Sequence, residues 1–319
     1  MTGDQATGLD AVMPGGAAVL SQGLALTRIG WQITPLQAGC LPPWKGSTMR
    51  GALGWAIAAI AGAAPSPPWP GLGPTTSLAD AFFAPQKAWN SPRATPVWTL
   101  QCPDQRTAIT PEQPIDGALI LFGAWPAWAC DLLQEAFQRA CTNGLGQASI
   151  PCCLSTWQTT TMAWPTPPPG AHAVTLTCQT PCRLEDERAV CQHLNATAII
   201  RSLIRRWRAL HIQLQDHDPL EGGLGQGVHA AAAHVQAIVH ASQPHRLTRL
   251  SNRQQRRHDL PTLTGSLTFG GPLWEPFAPL LAAAEVLHIG KQAHFGLGQC
   301  TLTWHLEHTA VSDPACSPL

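Results

Sequence analysis

The stretch Leu287-His-Ile-Gly-Lys-Gln-Ala-His-Phe-Gly-Leu-Gly298 gathers three glycines, a lysine and two histidines within twelve residues. A glycine-rich turn exposes backbone N–H groups, and a lysine set among them makes an anion its natural ligand. A second set of candidates is cationic. Arg201, Arg205, Arg206, Arg208, Arg246, Arg249, Arg253, Arg256 and Arg257 face only Asp216, Asp218 and Glu221 between residues 201 and 257. Lysine occurs only at positions 45, 87 and 291. Arginine grips phosphate in a planar, bidentate way that lysine does not match. The chemistry these groups suit is the binding of a phosphate-bearing ligand.

The elements that must position them form a pattern that occurs twice. About 150 residues before the late glycine turn, Asn143-Gly-Leu-Gly-Gln-Ala-Ser-Ile150 repeats its ending in shorter form. Each copy follows a similar run, Gly117–Gly123 in one case and Gly265–Gly270 in the other, and then a helical stretch. In the first copy, alternation predicts a strand from Ala17 to Thr34 and another at 116–122. Between them, Gly46-Ser47-Thr48 offers the start of a small-residue helix that runs from Met49 to Ile60. The helix Trp125–Cys141 follows the second strand, with Trp128, Leu132, Ala136 and Phe137 on one face, then a returning strand at 148–160. Residues 1–15 read as a tail and the proline-rich 64–75 as an insertion. Pro165–Gly170 reads as a linker, dividing the chain into residues 1–164 and 165–319.

In the second copy a strand at 172–184 precedes the helix Asn195–Leu214. Ile200, Leu203, Ile204, Trp207 and Leu210 fall on its buried face, with Arg201, Arg205 and Arg208 opposite. A short Ala-rich helix is expected at 228–241 and two strands within 246–270, joined by the basic turn 251–258. The helix Pro276–His288 and a closing strand at 299–308 complete the copy. Strand, helix, two strands, helix, strand is the ferredoxin-like order, so the fold class is α+β with two tandem ferredoxin-like domains and a C-terminal glycine-rich loop.

Composition narrows the function. The apolar fraction of 45% supports a sizeable core, and charged residues are 12% against the usual quarter or so. Net charge is zero, so any attraction to a polyanion must come from local clusters. No charged start with an apolar run and cleavage site is evident, nor a bilayer-length apolar span, and a cytoplasmic location is expected. The eleven cysteines then read as reduced thiols. Cys178-x3-Cys182, with Cys191 and His193 beyond, lacks the paired spacing of a zinc site, and no metal or other cofactor is expected. Thirteen tryptophans read as packing residues. A dinucleotide fold is disfavoured, because the glycine motif follows a helix and precedes a strand.

Four stretches resemble the CRISPR precursor-RNA processing endoribonucleases of the RAMP superfamily. They are Lys45-Gly-Ser-Thr-Met-Arg-Gly-Ala-Leu-Gly54, Ser202-Leu-Ile-Arg-Arg-Trp-Arg-Ala-Leu210, Arg249-Leu-Ser-Asn-Arg-Gln254 with Leu263–Gly271, and Leu287–Gly298. The resemblance spans roughly residues 17 to 308. It implies cleavage of CRISPR repeat RNA without a metal ion, the 2′-hydroxyl attacking the adjacent phosphorus to leave a cyclic phosphate and a 5′-hydroxyl. Many members carry the base as a histidine in or near the first helix, whereas here the first histidine is His172. Lys45 and Arg50 occupy that region, and the resemblance to relatives lacking the histidine assigns them to orienting the 2′-hydroxyl and neutralising the transition state. His294 and Lys291 are alternatives if the glycine loop folds over the site. Gly290, Gly296, Gly298 and Lys291 would meet RNA backbone, and Arg249, Arg253, Arg256 and Arg257 an RNA stem. Arg201, Arg205 and Arg208 form either an RNA track or a solvated face. The partners implied are CRISPR repeat RNA and other CRISPR effector subunits. A RAMP subunit that binds guide RNA without cutting it is the competing function.

Overall fold

The computed structural model describes residues 18–61, 77–251, 256–271 and 273–307. The expected tail at 1–15 and the proline-rich 64–75 lie outside the described residues. Strands β1 (Leu26–Pro35), β2 (Trp98–Gln101), β3 (Ile115–Phe122) and β4 (Cys152–Met162) make one antiparallel sheet in the order β2-β3-β1-β4. Strands β5 (Ala171–Cys178), β6 (Ala237–Ser251), β7 (Arg256–Gly270) and β8 (Cys300–Leu306) make a second in the equivalent order β6-β7-β5-β8. This is the ferredoxin-like arrangement built twice.

Alternation puts Ile29, Trp31 and Ile33 of β1 against helices α1 (Gly46–Ala61), α2 (Leu78–Phe83) and α3 (Ala127–Asn143). The inward face of α3 is centred on Ala129, Leu133, Ala136, Phe137 and Ala140, with Trp128 and Leu132 only at its margin. In the second sheet the amphipathic α4 (Ala196–Gln215) is capped by the Asn195 side chain, which accepts from the Ala198 amide at 3.0 Å. Its face Ile200, Leu203, Ile204, Trp207 and Leu210 is fully buried, as the spacing predicts.

Other boundaries differ from the sequence reading. Ala18–Leu20 form a helical turn before β1 starts at Leu26. The Ala-rich helix is α5 (Leu224–Ala232), and the β-branched residues beyond it extend β6 back to Ala237, because pairing with β7 outweighs helix propensity. Pro276–His288 is not one helix but a 3₁₀ turn, Glu275–Phe277, followed by α6 (Ala278–Ala282) and α7 (Ala284–Leu287). Ending a helix frees carbonyls. Those of Glu285 and Val286 accept from Gln101 Nε2 at 3.0 Å and Thr99 Oγ1 at 2.9 Å.

These bonds belong to a seam in which β2 and the residues before it dock onto α4 and α7. Thr95 and Gln213 exchange two hydrogen bonds, of 2.8 and 3.0 Å. Arg206 donates to the carbonyls of Pro96 and Trp98, and burial depresses its pKa to about 10. One apolar core crosses the seam, joining Leu24, Leu26, Val97, Ile120 and Phe122 to Ile200, Leu203, Trp207 and Leu287.

The β6–β7 hairpin reaches far beyond its sheet. Only Ser266–Gly270 of β7 pair with β5, while the pairing of β6 with β7 continues to Ser251 and Arg256. Along this arm Leu247 and Leu260 pack with Trp44, Phe295 and Leu297, so it lies across the late glycine loop and the entry to α1.

Candidate active site

The glycine loop is pinned from below by the turn after β5. Buried Thr180 donates through Oγ1 to the Gly296 carbonyl at 2.7 Å and accepts from the Gln299 amide at 3.0 Å. The Gly298 amide donates to the Pro181 carbonyl at 2.9 Å. Held this way, the 3₁₀ turn Ala293–Phe295 meets the first turn of α1, and Trp44 Nε1 donates to the Phe295 carbonyl at 3.1 Å. A Cβ on Gly46 would lie 1.9 Å from that oxygen, so only glycine admits the contact.

The loop's own glycines answer to the same crowding. A Cβ on Gly290 would lie 2.3 Å from the Arg183 carbonyl oxygen and one on Gly298 1.9 Å from that of Ile289. Gly296 faces the Leu100 carbonyl at 3.2 Å, and all three have positive φ. Protein backbone fills the Cβ side of each, which accounts for glycine at these positions without a ligand.

The condition set for His294 is met, since the loop does fold onto the first helix. The His294 ring is centred 4.6 Å from that of Phe295 and 6.0 Å from that of Trp98. From the other half of the chain, the Arg50 guanidinium lies 4.2 Å from the Phe295 ring centroid and 5.0 Å from that of Phe83. A permanent cation and an imidazole thus share one aromatic wall, both half-buried. The cation can stabilise developing negative charge, and the imidazole can carry a proton.

Lys45 is a correction. It is 0% exposed, and its ammonium donates to Asp104 Oδ1 and to the carbonyls of Asp104 and Arg106. Three donors and three acceptors leave nothing to offer a substrate. Burial would raise the Asp104 pKa, but hydrogen bonds from Arg106 and Lys45 bring it down to about 2, so the pair stays ionised. His288 is equally enclosed. It bonds through Nδ1 to the Leu297 carbonyl at 3.1 Å, and burial, reinforced by Arg206, depresses its pKa to about 3.

The remaining cations lie elsewhere. Lys291 pairs with Glu185, which also binds Arg183 at 3.0 Å. On α4, Arg201 pairs with Asp186 at 3.0 Å, Arg208 pairs with Asp218, and Arg205 reaches the Glu185 carbonyl at 3.4 Å. The row predicted by spacing exists, but neighbouring acids offset much of its charge. The backbone places Arg249, Arg256 and Arg257 at the far end of the β6–β7 arm, opposite His258, Ser251 and Leu250 respectively. Arg253 lies outside the described residues. Among the described residues, no group of three or more His, Cys, Asp or Glu is placed to hold a metal ion, and no helix is long and apolar enough to cross a membrane. Sequence reasoning missed Trp44, Phe295 and Thr180, which hold the loop in place. An uncharged threonine in a turn carries no signal, although Trp44-Lys-Gly46 stood beside a motif already singled out.

Residues 176–300 match the model of the family described as CRISPR-associated endoribonuclease Cas6. The match to Cas6, a RAMP endoribonuclease, thus falls on the second half of the chain. CRISPR RNA processing by an endoribonuclease is accordingly its coarse function. Residues 24–164 match a second family model, described as an N-terminal domain. No curated protein matches the sequence. Among solved structures, the product complex of Thermus thermophilus Cas6 is similar at a TM-score of 0.58 and 15% identity, covering 88% of this chain and 100% of that one. A Cas6-related protein from Pyrococcus furiosus gives 0.50 and 10%, over 88% and 99% of the two chains. A Cas6-RT-Cas1–Cas2 complex gives 0.54 and 8%, over 91% of this chain and 48% of the other. At these identities the likeness is one of fold.

Proposed function

We propose that this Cas6-type protein cuts CRISPR repeat RNA by attack of the 2′-hydroxyl on the adjacent phosphorus, without a metal ion, leaving a 2′,3′-cyclic phosphate and a 5′-hydroxyl. The observation that carries the reading is the shared contact of Arg50 and His294 with the Phe295 ring. RNA brings its own nucleophile, so the protein has only to align the reacting atoms, move one proton off the 2′-oxygen and another onto the leaving oxygen, and stabilise the phosphorane. Arg50 takes the electrostatic role and His294 the proton transfer. Lys45 supports them by fixing the 104–106 turn beside the start of α1.

The arm bearing Arg249, Arg256 and Arg257 is assigned to the RNA stem, together with Arg253 of the intervening sequence, since the arm crosses the glycine loop and its Leu247 and Leu260 pack with Phe295. The product complex of the Thermus protein supports RNA as the ligand, and the Cas6-RT-Cas1–Cas2 complex supports other CRISPR proteins as partners. The test is incubation with the cognate repeat RNA in excess chelator. Product ending in a cyclic phosphate supports the reading. Tight binding without product would instead fit the guide-binding subunit, which the absence of any histidine before His172 favours.

A further inference from the structure

Cys178 ends β5 and Cys182 follows the next turn, with their sulfurs 4.0 Å apart. Cys300 faces Cys178 in register across β8. The Cys178-x3-Cys182 pair stands apart from the other thiols because of what lies between. Gln179, Thr180 and Pro181 carry the bonds to Gln299, Gly296 and Gly298 that seat the glycine loop. Cys182 itself exchanges two backbone bonds of 2.8 Å with Leu263 at the base of the arm. The bonds that tie Gly296, Gly298 and Gln299 to the turn after β5 thus hang between these two sulfurs.

We propose that Cys178 and Cys182 are a thiol-oxidation site that converts reversibly to a disulfide and thereby unseats the catalytic loop. Cys178 is the attacking sulfur: it is half-buried, whereas Cys182 and Cys300 are buried. The thiol proton shared with Cys182 holds the Cys178 pKa below the ordinary thiol range and that of Cys182 well above it. A half-buried sulfur suits a small oxidant, hydrogen peroxide. The Cys178 thiolate attacks one peroxide oxygen, the O–O bond breaks, and sulfenic acid forms with loss of water after one proton is taken up. The Cys182 sulfur, losing its proton, then displaces the sulfenic hydroxyl as a second water. Two electrons pass from the thiols to the peroxide. Closing the sulfurs to about 2 Å draws the end of β5 against the 179–181 turn, and the loop bonded to that turn must follow.

The experiment treats the full chain with graded hydrogen peroxide, alkylates the remaining thiols and maps the cysteines by mass spectrometry. The expected product is a Cys178–Cys182 link, two hydrogens lighter than the dithiol, formed before Cys40 or Cys153 oxidise and reversed by dithiothreitol. A Cys178–Cys300 link, or both thiols still alkylatable once Cys40 and Cys153 are oxidised, overturns it. The consequence rests on the proposed cleavage: linked protein should cut at least tenfold more slowly and recover on reduction, while Cys182→Ser keeps its rate in peroxide. Unchanged cleavage by fully linked protein would refute that consequence. Should the reduced chain cut no RNA, the activity reading fails by itself, and amide exchange at residues 293–299 reports the same displacement, faster in the linked form if the proposal holds and unchanged if it does not.

Discussion

Gly46 and Phe295 meet with no room for a side chain, a Cβ on Gly46 falling 1.9 Å from the Phe295 carbonyl oxygen. Gly46→Ala must therefore push the 293–295 turn off α1 and part His294 from Arg50. A displacement of about 1 Å costs roughly 100-fold in rate. Single-turnover cleavage of repeat RNA should fall by about that factor while circular dichroism stays unchanged. A rate within twofold of the parent would mean that the contact does not set the site.

Arg50→Ala removes the cation from the Phe295 wall. Its cleavage rate should drop about 100-fold to 1,000-fold, the usual loss for one transition-state donor, with RNA affinity altered much less. His294→Gln should lose about 100-fold or more and change the shape of the pH–rate profile. If His294→Gln keeps both rate and profile, the proton carrier is another group.

Asp104→Asn strands the Lys45 ammonium in the interior. Breaking a buried pair on one side costs about 3–5 kcal/mol, so the urea midpoint should fall sharply, and the double variant Lys45→Met with Asp104→Asn should regain much of the loss. Equal stability of Asp104→Asn and parent would remove the clamp assigned to Lys45.

Acid should weaken the fold through His288. Its folded pKa of about 3 lies below the unfolded value near 6.5, so the unfolded chain binds more protons between those limits. Stability from keeping this ring neutral is complete above about pH 6.5 and is lost as pH falls toward 3. Urea unfolding at pH 7 and pH 5 should show the decline, and His288→Asn should lessen it. A slope unchanged in the variant would assign it to other groups, Asp104 acting only lower, between about pH 4 and 2.

For RNA affinity, each of Arg249, Arg253, Arg256 and Arg257 that meets a phosphate should lower the steepness of log K against log salt by about one when changed to Ala. Binding titrations between 50 and 300 mM salt test this, and slopes unchanged in all four variants would free the arm from the assigned role.

What the sequence made legible followed periodicity. Helix α4 could be placed within a residue or two, because five apolar residues recur at helical spacing and Asn195 caps them. The duplicated order of elements was readable for the same reason. Lys45 misled, because it and its neighbour Arg50 are both cations in sequence, and only the fold reveals which of the two is enclosed by carbonyls from residues 104–106. The glycines are ambiguous in sequence: small size permits approach by a ligand or by the chain itself, and spacing does not say which. The division of 276–288 into pieces depends on partners nearly two hundred residues away, Thr99 and Gln101, that no local pattern contains.

The seam around β2 has a further consequence. Arg50 and His294 come from opposite halves, and their separation is set by the carbonyl-seeking side chains of Thr99, Gln101, Arg206 and Gln213. With the catalytic roles proposed for Arg50 and His294, the junction is part of the catalyst rather than a hinge beside it. Neither half expressed alone would own a complete reaction centre, and evolution could not have exchanged one half for a homologue's without also carrying over the matching edge.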